Sequence, residues 1–204
     1  DGQTLNETGY STDLIRDEEI RLLRTREWLR SQGFRPLQAL KAEIGGGIHL
    51  RTSIYQDAPS TMRVQVSFIP HGSGGVAVCH AVSSVTADGT RYLTDNLFIP
   101  FAGFYPENWF VERSPWRRSL EGLIRHHRRR MERAGAVPVA FSTEPLDDLN
   151  SVQRELDRLN TELGFLHPYP KREDLGKFTS EGRYRVWKEI LTLNYRSEER
   201  RVGK

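Results

Sequence analysis

Between Val76 and Ile99 the chain reads VAVCHAVSSVTADGTRYLTDNLFI, two runs rich in β-branched and aromatic residues that meet at Asp88-Gly89. An Asp-Gly pair suits the two-residue turn of a β-hairpin, in which both central residues take positive φ. That turn dictates a register: Ala87 opposite Thr90, Val85 opposite Tyr92, Val82 opposite Asp95 and His80 opposite Leu97. Side chains alternate between the faces of a strand. Val78, His80, Val82, Leu93, Asp95 and Leu97 are therefore expected on one face, with Cys79, Ala81, Ser83, Val85, Tyr92 and Thr94 on the other.

The flanking segments carry the same period. Ile48, Leu50, Thr52 and Ile54 alternate with His49, Arg51, Ser53 and Tyr55, and Met62, Val64, Val66 and Phe68 alternate with Arg63, Gln65 and Ser67. Residues 34–42 form a further strand that Pro36 confines to a sheet edge. Turn chemistry separates these runs at Gly45-Gly46-Gly47, at Asp57-Ala58-Pro59-Ser60 and in the PHGSGG of residues 70–75. Short connections build an antiparallel meander, not parallel strands joined by helices.

Helical periodicity governs the rest. A first helix from Ser11 places Ile15, Leu22 and Leu29 on one stripe and stops at Gly33. A second opens at Ser114-Pro115, turns Trp116, Leu120, Leu123, Ile124, His127 and Met131 inward, and ends at Gly135. Leu149, Val152, Leu156, Leu159 and Leu163 make a two-heptad seam, suited to pairing with the last helix or to self-association. That last helix opens at Thr179-Ser180 and carries Tyr184, Trp187, Ile190 and Leu191 on one side. The predicted fold is α+β: residues 1–140 form an antiparallel sheet of four to five strands with helices on one face, and residues 141–195 form a C-terminal helical hairpin.

The last nine residues, RSEERRVGK, resemble the translation of a common sequencing adapter, so residues 196–204 are set aside as a non-native tail. The chain begins at Asp1, not Met, and further upstream sequence is expected. Without the tail, 26 Lys and Arg face 25 Asp and Glu, a net charge of +1 in place of +3. Overall charge is then no argument for nucleic acid. A single cysteine, Cys79, excludes an intrachain disulfide and a multi-cysteine metal site. No apolar run approaches the roughly 18 residues of a membrane span. The expected location is the cytoplasm or the cytoplasmic face of a membrane, and no metal or cofactor is expected.

Four features carry candidate chemistry. Cys79 and His80 are adjacent, but strand neighbours point to opposite faces and cannot form a thiol–imidazole pair. His80 and Asp95 are the better catalytic candidates, an imidazole and a carboxylate expected on one face at a diagonal offset. The glycine-rich EIGGGIHL and PHGSGG lack P-loop and G-x-G-x-x-G spacing. PHGSGG is similar to the HGGG-type loops of esterases, without the G-x-S-x-G elbow that would complete one.

The strongest signal is the Arg-rich helix. Residues 111–135 hold eight Arg against three Glu. Arg118, Arg125, Arg129 and Arg133 fall opposite the apolar stripe, with His126 beside them, a row suited to phosphate, carboxylate or lipid headgroups. The competing reading is a solvated face neutralised by Arg117–Glu121, Glu121–Arg125 and Arg128–Glu132 pairs. Just upstream, Phe101, Phe104, Tyr105 and Trp109 lie in an aromatic stretch that either lids the core or rests on a membrane or on bases. Three functions follow in order of support. The first is a non-catalytic interaction module that presents the Arg face to an anionic or protein partner. The second is a peripheral binder of anionic lipid or nucleic acid. The third is an enzyme that uses His80 and Asp95.

Overall fold

The computed structural model describes residues 12–43, 49–70, 76–98 and 103–188. The glycine turn at 45–47, the PHGSGG loop at 71–75, Phe101, Ile190, Leu191 and the 196–204 tail lie outside them. The chain divides into two compact units. One comprises the chain up to Asn96 together with Phe110–Pro145, and the other Leu97–Trp109 together with the chain from Leu146 onward.

In the first unit, α1 (Thr12–Ser31) precedes six strands that lie side by side in chain order. They are β1 (Arg35–Glu43), β2 (His49–Gln56), β3 (Arg63–Pro70), β4 (Val76–Thr86), β5 (Arg91–Asp95) and β6 (Trp109–Arg113). After α2 (Leu120–Arg133), the two-residue β7 (Pro138–Val139) pairs with β4 beyond the end of β3. The class is α+β with antiparallel pairing from β1 through β5, as predicted. Among the described residues the sheet has seven strands, not four or five. The unforeseen one is β6, which sits in the aromatic stretch where Pro106 and Pro115 mask its period. Pro36 lies on the edge strand, at a register irregularity, where its missing N–H leaves no ladder bond unmade.

The hairpin corrects the predicted register by one residue. Val82 pairs with Thr94, and Ala81, not Val82, pairs with Asp95. The loop holds three residues: Thr86 N–H donates to Thr90 O at 2.9 Å and Gly89 N–H to Thr86 O at 3.0 Å. Only Gly89 takes positive φ, at 82°. Asp88 stays out of that region, and its carboxylate accepts from Thr86 Oγ1 and from Thr90 N–H. This is a type I turn closed by a left-handed glycine, not the two-residue turn. The shift exchanges the faces of β5 relative to β4.

One face of the sheet carries Tyr55, Val64, Val66, Val82, Tyr92 and Thr94. It receives Leu29 and Trp28 of α1 and Leu120, Leu123 and Ile124 of α2, which with Phe34 and Met62 make the hydrophobic core. The opposite face is buried but polar. Thr52 and Ser67 hydroxyls meet at 2.9 Å, and Arg63 donates to Gln56 Oε1 at 2.9 Å while its guanidinium lies 4.1 Å from the Phe141 ring. Cys79 is buried on this second face, opposite Ser67.

In the second unit, α3 (Pro145–Glu162) is followed by a 3-10 turn (Tyr169–Lys171), the short α4 (Arg172–Leu175) and helical residues 180–188. A Cβ at Gly182 would lie 2.2 Å from the Phe165 carbonyl oxygen, so glycine permits that helix to close on Phe165. Tyr184 and Trp187 stand 55% and 57% exposed on the same helix.

Two glycine substitutions separate backbone conformation from space. Gly89→Ala, whose Cβ meets nothing within 4 Å, is expected to cost about 1 kcal/mol from positive φ alone. Gly182→Ala is expected to cost about 2 to 3 kcal/mol through overpacking. Chemical denaturation of both variants checks the order, and equal losses would contradict it.

Candidate functional site

The start of α2 decides which basic residues share a face. Ser119, not Ser114, is the N-cap: its hydroxyl accepts from Gly122 N–H, and the helix begins at Leu120. Ser114-Pro115 instead enters a turn: Ser114 N–H donates to Asp95 O at 2.8 Å, Ser114 O accepts from Arg117 N–H at 3.0 Å, and Arg117 O accepts from Asn96 Nδ2 at 3.0 Å. Trp116 therefore lies ahead of the helix and is 42% exposed, against the expectation that it points inward. Arg118 also precedes the helix and is displaced from the predicted arginine row.

The inner face of α2 carries Leu120, Leu123, Ile124, His127 and Met131, all buried. His127 is fully enclosed, with Nδ1 2.8 Å from Thr94 Oγ1 and Nε2 3.1 Å from Ser84 Oγ. Arg130 fastens the helix to β5 and β6. It donates to Leu93 O at 2.8 Å, to Thr94 Oγ1 at 2.6 Å and to Phe110 O at 3.1 Å, and pairs with Glu112 at 2.9 Å. His126 turns to the same Glu112 carboxylate, leaving the outward row in which it was predicted. Burial pushes the Glu112 carboxyl up, but the His126 hydrogen bond and the Arg130 charge outweigh it and hold the group below the usual range. A serine and a histidine in contact suggest nucleophilic chemistry, yet both Ser84 and His127 are sealed from solvent and cannot meet a substrate.

The outer flank is different. Arg125, Arg128, Arg129 and Arg133 are exposed. Arg125 is tied to Glu121 one turn before it, whereas Arg128 and Arg129 carry no ion pair among the described residues. The Arg117–Glu121 and Arg128–Glu132 pairs of the competing reading do not form. Between α2 and the C-terminal end of α1 lies a groove of about 280 Å³. Trp28, Phe34 and Ile124 form its apolar lining and Gln32 sits on one wall. Arg125, Arg128 and Arg129, flanked by Glu121 and Glu132, make up the rest. Arg118 and Arg133 do not line it.

The predicted His80–Asp95 pair does not form. With the register shifted, His80 lies on the α2 side of the sheet and Asp95 on the other. His80 is instead held by Asn96, whose Oδ1 accepts from His80 N–H at 2.7 Å and whose Nδ2 lies 3.2 Å from His80 Nδ1. Asp95, 1% exposed, accepts from Arg113 Nε at 2.9 Å. Cys79 and His80 project to opposite faces, with Ser67 and Val66 as their respective partners.

The aromatic stretch is pinned within the second unit. Phe104 N–H donates to Asn160 Oδ1 at 2.6 Å, Asn160 Nδ2 donates back to Phe104 O at 2.9 Å, and the Arg185 guanidinium covers the Phe104 ring at 4.2 Å. Tyr105 and Trp109 are half-buried. Along α3, Leu149, Val152, Leu156 and Leu159 are half-buried and Leu163 is exposed. Among the described residues, no cluster of three His, Cys, Asp or Glu side chains is placed to hold a metal ion, and no helix is long and apolar enough to cross a membrane. No protein-family model matches the chain, and neither curated proteins nor solved structures show a similar one.

Neighbouring arginines on α2 should therefore behave oppositely. Arg130→Ala removes at once the ties to Leu93 O, Thr94 Oγ1, Phe110 O and Glu112, and is expected to cost about 2 to 3 kcal/mol. Arg129→Ala should fall within about 0.5 kcal/mol of wild type. Urea midpoints of the two variants decide it. The buried histidines set a pH dependence. Burial holds His80 down at about 4, and burial, followed by the Arg130 charge, holds His127 at about 3, against an ordinary 6.5. Both stay neutral in the folded chain while the unfolded chain takes up protons below 6.5. Stability is then full above that pH and declines as pH falls towards 4, by up to about 1.4 kcal/mol per unit for each histidine. His127→Gln should remove about half of that slope. Urea denaturation at pH 7 and pH 4.5 measures it, and an unchanged slope would sink the assignment.

Proposed function

We propose that this chain is a non-catalytic binding module that receives an anionic partner on the outer flank of α2. The observation that carries the reading is the convergence of Arg125, Arg128 and Arg129 on one groove. A merely solvated face accounts for Arg118 and Arg133, which lie outside this groove. It does not account for three guanidiniums gathered beside Trp28. Elsewhere on the helix, His126 and Arg130 are already engaged, sharing Glu112. Guanidinium groups in a partly enclosed, partly apolar recess bind carboxylate or phosphate more strongly than the same groups in open water, because screening is weaker there. The partner's oxygens would take charge-assisted hydrogen bonds from Arg128 and Arg129.

Charge reversal tests this. The double variant Arg128→Glu/Arg129→Glu should weaken binding to immobilised heparin and to poly-glutamate by about tenfold or more at low salt. Arg118→Glu/Arg133→Glu changes net charge equally and should weaken it by less than about threefold. Equal losses in the two pairs would show that only overall charge matters and would overturn the groove as the site.

A further inference from the structure

Resting on that reading, we propose that the groove's partner is a short acidic peptide segment built around one aromatic or aliphatic anchor residue. The anchor would sit against Trp28 between Gln32 and Ile124, and carboxylates beside it would meet Arg128 and Arg129.

Three features select a peptide over other anions. The first is size. At about 280 Å³, the groove lies at the small end of ligand cavities, with room for one large side chain and its neighbours. The second is the lining. Phe34 and Ile124, each 3% exposed, back the groove from within the core and Trp28 packs against them, so the apolar surface an anchor meets is chiefly the Trp28 indole, already held in place before binding. The third is the order of charge along α2: Glu121 at one end, Arg125, Arg128 and Arg129 in the middle, Glu132 at the other.

This order discriminates among polyanions. A nucleic-acid backbone carries a charge on every nucleotide and would run its phosphates past Glu121 or Glu132. A bilayer presents a broad anionic plane that meets both acids and cannot enter the recess. A peptide can place its carboxylates over the arginines alone and offer neutral or basic residues to the two glutamates. From Glu121 to Glu132 the helix rises on the order of 16 Å, at about 1.5 Å per residue. An extended peptide covers that with about five residues.

The probe is the pentapeptide Lys-Asp-Phe-Asp-Lys, blocked at both ends, titrated into the full chain while the Trp28 indole resonance is followed. Lys-Asp-Ala-Asp-Lys, poly-glutamate, oligo-thymidylate and phosphatidylserine vesicles serve as comparisons. The Phe peptide should shift Trp28 and bind about tenfold more tightly than the Ala peptide. Gln32→Trp fills the groove from an exposed position whose side chain bonds only to Ser31 among the described residues, and should bring the Phe peptide down to the affinity of the Ala peptide. Gln32→Glu, which leaves the packing alone, should weaken the peptide through repulsion of its carboxylates. Equal binding of the Phe and Ala peptides, indifference to both Gln32 substitutions, or tighter binding of oligo-thymidylate or vesicles would overturn the peptide assignment and leave the anion-binding reading standing. Failure of every anion, heparin included, would remove both.

Discussion

The carboxylate of Asp88 takes one hydrogen bond from the Thr86 hydroxyl and one from the Thr90 amide, and the register of β5 on β4 follows from that small arrangement. With three residues in the loop, Thr94 comes round to the side of the sheet where α2 lies, and there it meets both His127 and Arg130. A two-residue loop would present Leu93 and Asp95 to the helix instead. The imidazole and the guanidinium would each lose the Thr94 hydroxyl, and a carboxylate would be driven into an apolar interface. Costs of that kind, about 1 to 3 kcal/mol for each buried polar group left unmatched, make the register a property of the whole unit and not of the turn alone.

Seen along its axis, α2 assigns adjacent residues to separate tasks. In the run His126, His127, Arg128, Arg129, Arg130, the second and fifth anchor the helix to the sheet and the first braces the shared glutamate. The third and fourth face solvent beside Trp28. The buried members hold the rod at a fixed rotation, and that rotation presents the other two to the groove. Stability and recognition are thus written in one basic segment, distinguished only by the 100° step of the helix.

Much of this was legible from periodicity. The strands His49–Gln56 and Arg63–Pro70, the inward set from Leu120 to Met131 and the glycine stops at Gly33 and Gly135 follow from residue type and spacing alone. What could not be read depends on partners distant in sequence. Asp-Gly serves two- and three-residue loops equally well, and the choice rests on which φ Asp88 adopts. Ser114-Pro115 has every local mark of a helix start, but the Arg117 carbonyl is claimed by Asn96 across 21 residues. Phe104 is fixed by Asn160, 56 residues further on. The groove exists only once α1 and α2 pack together. Arg130 alone left a usable trace, since it lies one turn from the inward His127 and borders the apolar stripe.

Cys79 gives the molecule a built-in clock. It is the chain's single cysteine, 3% exposed, on a strand bordered by β3 on one side and β5 on the other. A thiol reagent in solution can reach that sulfur only when the cover of the sheet's second face opens, so its modification rate counts such openings.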